Sequence, residues 1–334
     1  MIRKTALLAA VAFGFIQPAS AHNAWLLPST TVLSDTNQSV TVDAAASTAP
    51  FEANHQALGA DMVKVWAPDG TMGKVENPSR GRYRSTFDVK IDKPGTWRIG
   101  MENSGVSGTF KVNGESWMVG RRRGPPAGAP GAGGPGAGGP GAPGGPGQGA
   151  PGAPPAMAGG NPPAPPAGAP AGGPQGGPGG RPQIDPSHIV ATVDEIPAGA
   201  TDLDLTETAG RNEFFVSAGE PSDALFKPVG KGLEFVPVTL PTDLVSNEPG
   251  QFRFLVDGKP AAGLEVEVIP GGRRYREADQ TQKLKTDAQG LLTVNWPGAG
   301  FYWMNASLID TKPANPKATK RRMSYTATLE VLAP

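Results

Sequence analysis

Short apolar runs separated by turn signals make up the first third of the chain, and this pattern predicts β-strands. Residues 82–91 alternate apolar and polar positions, as a half-buried strand does. Turn signals such as Pro68-Asp69-Gly70 and Lys93-Pro94-Gly95 separate the runs. The predicted strands before residue 124 are NAWLLP, SVTVDAA, MVKVWAP, RYRSTFDVKI and TWRIGME. Further along the chain, HIVATVDEI, TDLDLTETA and NEFFVSAG are expected to close the same β-sandwich.

The pattern restarts near Leu225 and predicts a second β-sandwich of roughly 100 residues. Asp257-Gly258 is typical of a β-hairpin, and the sequence TDAQG at residues 286–290 predicts a tight turn between strands. The expected strands are GLEFVPVTL, QFRFLVDG, GLEVEVIP, LLTVNWPG, FYWMNASLI and SYTATLEVL. Helical periodicity is weak everywhere except in the first residues of the chain.

Residues 124–182 consist almost wholly of Gly, Pro and Ala. They offer no side chains whose burial would offset the entropy of ordering them, so we predict a disordered insert. Glycine does not recur at every third position in one frame, which argues against a collagen triple helix.

The predicted fold is therefore all-β, with two immunoglobulin-like or transthyretin-like β-sandwich domains and a disordered Gly/Pro/Ala-rich insert. Residues 22–123 and 183–222 form the first predicted domain, residues 124–182 the insert, and residues 223–334 the second domain.

The first 21 residues have the features of a secretory signal peptide: a basic start, a short apolar stretch and the small residues Ala19 and Ala21 at the cleavage site. The apolar stretch is too short to span a bilayer, and no other run in the chain is apolar enough to do so. We expect cleavage after Ala21 and a periplasmic mature protein that does not itself span a membrane.

Composition excludes several classes of protein. The chain has no cysteine, which excludes disulfides, a lipid-modified cysteine and a cysteine nucleophile. Its 30 basic and 30 acidic residues balance, and loss of Arg3 and Lys4 with the signal peptide leaves a slight negative excess. Nucleic acid is therefore not an expected partner. No GxSxG or GK[ST] motif is present, so we expect a protein that is not an enzyme.

Cleavage after Ala21 would make His22 the first residue of the mature protein. Its free α-amine, with an ordinary pKa of about 7.7–8.0, and its imidazole can close a chelate ring on one transition-metal ion. The alternative is chance, because one of the three histidines could fall at the cleavage point by coincidence.

A divalent ion held by one amine and one imidazole needs a further ligand, and His55, in the polar stretch FEANHQALGAD, is the best candidate. Possible additional ligands are His188, Glu52 and Asp61, with Met62 or Met72 as sulfur donors to Cu(I). Each of these residues has an ordinary alternative role as a solvated loop residue or a core residue. Basic residues at 121–123 and around 317–322 could contact anionic lipid or a cell-wall polymer, or serve as ordinary surface charge.

Several stretches together resemble the bacterial periplasmic proteins called domain of unknown function 4198: AHNAWLLP, FEANHQAL, VWAPDG, GTWRIG, FFVSAGEPS, KGLEFVPVTLPTDL, DGKPAAGLEVEVIPGG and KTDAQGLLTVNWPGAGFYWMNAS. The resemblance covers nearly the whole mature chain apart from the insert. It implies a periplasmic component of a cobalt or nickel uptake system. The family's histidine after the signal corresponds to His22 and its loop histidine to His55, whereas His188 matches no family pattern.

The sequence thus favours a periplasmic protein that binds a divalent transition metal at His22 and His55 and delivers it to a membrane transporter. Nickel or cobalt is the expected metal, and copper or zinc would also suit the ligands. One alternative is a structural or adhesive envelope module that binds a protein or a polysaccharide. Another is a copper-dependent oxidative enzyme that uses the N-terminal histidine.

Overall fold

The computed structural model describes residues 23–120 and 184–334. The predicted signal peptide, His22 and the predicted insert lie outside the described residues. The first part contains nine strands: β1 Asn23–Pro28, β2 Val32–Leu33, β3 Gln38–Ser47, β4 Gln56–Ala57, β5 Val63–Trp66, β6 Val75–Arg80, β7 Ser85–Ile91, β8 Gly95–Val112 and β9 Glu115–Val119.

The second part contains ten strands: β10 Ile189–Val190, β11 Thr201–Ala218, β12 Leu233–Pro237, β13 Gly250–Val256, β14 Lys259–Pro260, β15 Glu265–Pro270, β16 Gln282–Lys285, β17 Leu291–Val294, β18 Gly300–Asp310 and β19 Lys320–Val331. The only helices among the described residues are 3-10 turns of three residues each: Ala60–Met62, Pro186–His188, Val193–Glu195, Ala224–Phe226 and Arg273–Tyr275. The all-β prediction is confirmed, and none of the helices in the described ranges is long and apolar enough to cross a membrane.

Most predicted strands coincide with observed ones, and the differences have local causes. Residues 188–196 form only the short β10 and a 3-10 turn, because the Glu195 carboxylate accepts hydrogen bonds from the Ala191 amide and the Thr192 hydroxyl and bends the chain. The strands without a predicted counterpart are β2, β4, β6, β9, β14 and β16, and the runs TDLDLTETA and NEFFVSAG, predicted as two strands, form the single strand β11. β6 and β16 lie at sheet edges, where side chains stay in solvent and no apolar alternation is needed.

The strands form three sheets. Five strands build the first sheet, in the order β1-β3-β7-β6 with β4 added to β3. Ten strands build the second, in the order β10-β9-β8-β11-β19-β18-β15-β16, with β2 added to β11 and β5 to β8. β12, β13, β14 and β17 form the third. The five-stranded sheet packs on one part of the ten-stranded sheet and the four-stranded sheet packs on another. We call these two packed units the first half and the second half of the protein. The ten-stranded sheet runs through both.

Two large cores lie between these layers. The first core packs β1, β3 and β7 against β5, β8 and β11, around Leu26, Phe87 and Trp97. The second core packs β12, β13 and β17 against β15, β18 and β19, around Phe235 and Tyr325. Strand β11 belongs to both: Phe214 and Val216 enter the first core, and Phe215 enters the second. Successive side chains of a strand point to opposite faces, so one strand contributes to two cores.

Gly210 of β11 lies between Asn103 of β8 and Ser324 of β19 in the central part of the sheet. A Cβ atom added there would lie 2.2 Å from the Asn103 Oδ1 atom and 2.7 Å from the Ser324 Oγ atom. A larger residue at this position would therefore have to displace these two side chains. The predicted domain boundary between residues 222 and 223 stays a prediction, since this sheet joins strands from both sides of it.

Candidate functional site

The start of β1 lies at the junction between the two halves. Antiparallel pairing places Asn23 opposite Ser47, the last residue of β3, and Trp25 opposite Ala45. The Trp25 indole N–H donates to the Ser47 hydroxyl at 2.6 Å. From the second half, the Trp303 indole N–H donates to the Ala24 carbonyl at 3.0 Å. The first described residues of the chain are thus held by two tryptophans, one from each half.

A well-anchored loop connects β3 to β4. The Asn54 side chain accepts from the Thr48 amide at 3.1 Å and donates to the Thr48 hydroxyl at 2.8 Å. Phe51 has a φ of 65°, an uncommon conformation for a bulky residue. It is held by edge-on contacts with Trp25 and Phe301, at centroid distances of 5.8 Å and 6.4 Å. Packing from both halves therefore fixes this loop.

His55 is the last residue of this loop, is exposed, and directly precedes β4. Gln56 of β4 pairs with Ala46 of β3, which pairs on its other side with Ala24 of β1. Since neighbouring strands lie about 4.8 Å apart, the Ala24 and Gln56 backbones are separated by about 10 Å. His55 and the start of β1 therefore lie at the same end of the first sheet, with one strand between them.

Glu52 and Asp61, considered as additional ligands, lie on either side of β4 along the chain. Glu52 lies in the same loop and pairs with Arg274 of the second half at 3.2 Å. Asp61 lies in the 3-10 turn before β5. Within residues 23–120 and 184–334, no three His, Cys, Asp or Glu side chains form a group that could hold a metal ion. Met62 and Met72 are both exposed.

His188 lies in a different part of the fold. Its ring stacks on Trp117 at a centroid distance of 4.4 Å, and its Nε2 atom lies 3.6 Å from a Glu115 carboxylate oxygen. Trp117 belongs to a third apolar cluster around Phe110, at the far end of β8 from the first core. This environment gives His188 a packing role next to β9.

The basic residues near the C-terminus have intramolecular partners. Lys317 donates to the Val193 carbonyl at 2.7 Å, and Lys320 pairs with Asp204 at 3.0 Å. Arg321 is buried, and its Nη2 atom lies 2.7 Å from carboxylate oxygens of both Asp257 and Asp310. These hydrogen bonds hold the pKa values of both aspartates below the usual range. Residues 121–123 lie outside the described residues.

A cleft of about 590 Å³ opens where the start of β1 faces the second half, and we call it the junction cleft. One wall consists of Asn23, Thr48 and Pro50. The other wall comes from β15, β16 and the loop between them: Glu267, Ile269, Pro270, Arg273, Asp279, Thr281 and Lys283. The cleft thus contains two cationic and two anionic side chains together with amide, hydroxyl and apolar groups.

The Asp279 carboxylate is exposed at the rim of this cleft. Its carboxylate accepts from the Thr281 hydroxyl at 2.6 Å and from the Thr281 amide at 3.0 Å. These bonds lower the pKa of Asp279 below the usual value, and the nearby charges of Arg273 and Arg276 contribute in the same direction. Asp279 therefore keeps its charge at neutral pH.

A second cleft, of about 490 Å³, lies on the other side of the loop that follows β15. We call it the aromatic groove, because Phe51, Tyr275, Phe301 and Tyr302 line it together with Leu27, Arg276 and several small residues. Tyr275 is 90% exposed. The loop between β15 and β16 therefore separates a charged cleft from an aromatic one.

Comparison with protein families gives one match. Residues 19–310 match the family described as "Domain of unknown function (DUF4198)". The chain belongs to the DUF4198 family. The matched range includes the junction cleft and extends through most of the second half of this DUF4198 protein.

Similar solved structures give only weak matches to this DUF4198 chain. "Crystal structure of Salmonella alpha-2-macroglobulin reacted with methylamine" has 10% identity and a TM-score of 0.21, and the match covers 92% of this chain and 15% of that one. "D0-D1 domain of Intimin" has 11% identity and a TM-score of 0.19, with 92% and 97% covered. "Escherichia coli alpha-2-macroglobulin activated by porcine elastase" has 12% identity and a TM-score of 0.18, with 92% and 30% covered.

The DUF4198 chain thus spans less than a third of the length of either macroglobulin. No curated protein matches it.

Sequence reasoning missed the second wall of the junction cleft in this DUF4198 protein. In the sequence, Glu265 and Glu267 are equivalent, because both lie on one face of a predicted strand and nothing local separates them. Glu265 is exposed and pairs with Lys285, whereas Glu267 lines the cleft. The signal available in the sequence was the polar loop GGRRYREADQTQ after β15, which is long for a hairpin and rich in charge.

Proposed function

We propose that the mature protein is a non-enzymatic periplasmic carrier that binds a divalent transition metal through His22 and His55 and delivers it to a membrane uptake system. The observation that carries the proposal is the strand register, which brings the beginning of β1 and the loop bearing His55 to the same end of one sheet. Nickel or cobalt is the proposed metal, with copper and zinc as the other ions that suit these ligands.

Covalent geometry supports this pairing. His22 is joined to Asn23 by one peptide bond, so its Cα atom is about 3.8 Å from that of Asn23. Asn23 is separated from the strand that follows His55 by β3 alone. Two imidazole groups on either side of one strand can reach a common ion, since each metal–nitrogen bond adds about 2.0–2.1 Å to the reach of a histidine side chain.

Cleavage after Ala21 is part of the proposal, because an unprocessed chain has an amide at His22 instead of a free amine. The amine and the imidazole of a terminal histidine then close a chelate ring on the same ion. Two tryptophans from different halves anchor the start of β1, which supports a fixed ligand position next to His55.

The test is calorimetric titration of mature protein, beginning at His22, with nickel, cobalt, copper and zinc. We expect His22→Ala and His55→Ala each to weaken binding strongly, whereas His188→Ala leaves it unchanged. A variant with one extra residue before His22 keeps the imidazole and displaces the amine, so it should also bind weakly. Unchanged affinity in this extended variant would disprove the N-terminal chelate.

The pH dependence of metal affinity provides a second test. The amine and both imidazoles must lose their protons before they bind, so affinity should fall by up to about tenfold per ligand for each pH unit below the pKa of that ligand. A site built from carboxylates would instead hold its metal to a lower pH. Affinity that stays constant from pH 8 to pH 5 would contradict histidine and amine ligation.

The aromatic groove favours a second candidate function, an envelope module that binds a protein or a polysaccharide. The supporting observation is Tyr275, which is 90% exposed beside Phe51 and Phe301. Mature protein that takes up no metal at micromolar concentration but retains one envelope component, and loses it on Tyr275→Ala, would support this function. A copper enzyme would instead show peroxide-driven turnover after copper loading.

A further inference from the structure

Two glutamates of β15 each stand opposite a lysine of β16, and only one of these two pairs forms a salt bridge. Glu265 stands opposite Lys285, and Glu267 stands opposite Lys283. The first pair forms an ion pair of 3.1 Å, although both side chains are largely exposed. Glu267 and Lys283 form no such pair, and both line the junction cleft. Glu267 and Lys283, which form no salt bridge with each other, are therefore the pair that lines the junction cleft.

The other charged residues of the cleft repeat this combination. Arg273 and Asp279 add a second cation and a second anion to the same cavity. The four side chains carry no net charge together, so a simple anion or a simple cation would leave two of them without a ligand partner. A ligand that satisfies them must itself carry both signs.

The spacing limits how far apart the two ligand charges can be. Residues directly opposite each other in an antiparallel pair have Cβ atoms about 4.5–5.5 Å apart. A ligand positioned between Glu267 and Lys283 needs its positive and negative groups close together, as they are when both are attached to one carbon atom. A peptide whose charged ends are several residues apart does not meet this condition.

We propose that the junction cleft binds a free α-amino acid with an apolar side chain. The ammonium group lies between Glu267 and Asp279, and the carboxylate is held by Lys283 and Arg273, whose planar guanidinium group suits two parallel hydrogen bonds. Pro50, Ile269 and Pro270 supply the apolar surface for the ligand side chain. The volume of about 590 Å³ is within the range of small-molecule sites.

The two walls of this site come from different halves of the chain. Thr48 and Pro50 belong to the loop after β3, and Glu267 and Lys283 belong to β15 and β16. Binding therefore does not rest on the proposed metal site, although Asn23 lines the cleft beside it. Amino acids chelate transition metals, so the two ligands must be separated in the experiment.

The experiment is calorimetric titration of metal-free mature protein, in the presence of EDTA, with L-leucine, N-acetyl-L-leucine, L-leucine amide and glycine. We expect L-leucine to bind. Each blocked analogue lacks one charge and should bind about tenfold more weakly or worse, because a charged side chain of the cleft is left without a partner. Glycine keeps both charges and should also bind more weakly, because it lacks an apolar side chain.

Two pairs of variants provide the matched test. Glu267→Gln and Lys283→Gln should each weaken leucine binding by about tenfold or more, whereas Glu265→Gln and Lys285→Gln, on the same strands, should leave it unchanged. Far-UV circular dichroism of all four variants checks that the sheet is retained. Loss of binding in both pairs alike would overturn the specific role of Glu267 and Lys283.

Other outcomes separate this site from the metal carrier. No leucine binding at millimolar concentration overturns the amino-acid site and leaves the metal titration unaffected. Binding of N-acetyl-L-leucine as tight as that of L-leucine shows a carboxylate site and overturns the two-sign ligand. Leucine binding that appears only with added nickel and disappears in His22→Ala shows a metal chelate, and it too overturns the proposal.

Discussion

The two halves of the protein meet at two joints that are built differently. At the first, β11 pairs with β8 on one side and β19 on the other, so backbone hydrogen bonds run without a break from one half to the other. At the second, no strand pairing links β1 to β18 or β15, and the contact depends on side chains, chiefly Trp25 and Trp303, whose indole donates to the Ala24 carbonyl. The junction cleft and the aromatic groove both open at the second joint.

The difference explains why these two clefts open at the second joint. A hydrogen-bonded sheet leaves no space between its strands, and its side chains are committed to the two cores. In a joint formed by side-chain packing, the two layers touch only at large residues, so cavities remain around those contacts. Polar groups at the edges of these cavities remain accessible to ligands.

The largest effect is expected from Phe215→Ala in β11. Phe215 is buried in the second core, where its ring centroid lies 4.7 Å from that of Phe226. Its neighbours Phe214 and Val216 lie in the first core. Removing the ring should cost about 3–5 kcal/mol. Because β11 serves both cores, urea unfolding followed by tryptophan fluorescence and by far-UV circular dichroism should remain a single transition.

The control for this variant is Val238→Ala, which alters an exposed side chain and should change stability by less than about 0.5 kcal/mol. Two separate transitions, with only one shifted by Phe215→Ala, would show that the hydrogen-bonded joint does not couple the halves. The domain boundary predicted at residue 222 would then describe two independent folding units.

At the second joint we expect a smaller and more local effect from Trp303→Phe. The substitution keeps an aromatic ring but removes the N–H group that donates to the Ala24 carbonyl at 3.0 Å. Leaving that carbonyl without this donor should cost about 1–3 kcal/mol. Hydrogen exchange should become faster for amides of β1 and remain unchanged for amides of β8 and β11. Uniformly faster exchange would mean that both joints open together.

The sequence predicted the strands well because most of them carry an apolar face against a core. β1 spans the same residues as the predicted run NAWLLP, and Asp257-Gly258 forms the expected turn between β13 and β14. The sheet that joins both halves was not predicted. Neither the pairing of β11 with β19 nor the packing of Trp25 beside Trp303 has a local signature, since each depends on residues more than 100 positions apart.

The candidate site was predictable only in part, for the same reason. A lone histidine such as His55 stands out in a chain with three histidines, so composition was sufficient to select it. Glu267 and Lys283 are ordinary charges in a protein with 30 acidic and 30 basic residues. They are distinguished from Glu265 and Lys285 only by the position of the loop after β3, which depends on the complete fold.

Glu213 should make the hydrogen-bonded joint sensitive to pH. It is 4% exposed on β11, and burial raises its pKa above the usual value despite the opposing influence of Arg98 and Arg211. The folded protein therefore favours the protonated carboxyl group. This contribution to stability is complete below the pKa of the unfolded chain and is lost as pH rises through the raised pKa of the folded state.

We expect the urea midpoint of the wild type to decrease as pH increases above about 4.5, and the midpoint of Glu213→Gln to change less over the same range. Asp69 provides an internal contrast: its hydrogen bonds with Lys93 and Thr71 lower its pKa, so its contribution is lost only as the solution becomes more acidic. An identical pH profile in wild type and Glu213→Gln would mean that Glu213 is charged in the folded protein.

The smallest effect should come from removing the predicted insert, residues 124–182. These residues lie outside the described ranges, but the strands on either side of them are held together. β9 and β10 pair in parallel, with Met118 opposite Ile189 and Val119 opposite Val190, and the Gly120 amide donates to the Val190 carbonyl at 3.0 Å. The strands before and after the insert are therefore neighbours in the sheet, and a Gly/Ser linker of about ten residues is long enough to connect them.

Because the entropy of loop closure increases only slowly with length, the shortened protein should be as stable as the wild type or more stable by about 1 kcal/mol or less. Urea midpoints and melting temperatures would measure the change. Both joints lie in other parts of the fold, so leucine and metal affinities should also stay constant. A large loss of stability would mean that the insert packs against the sheets, and the prediction of disorder would then be wrong.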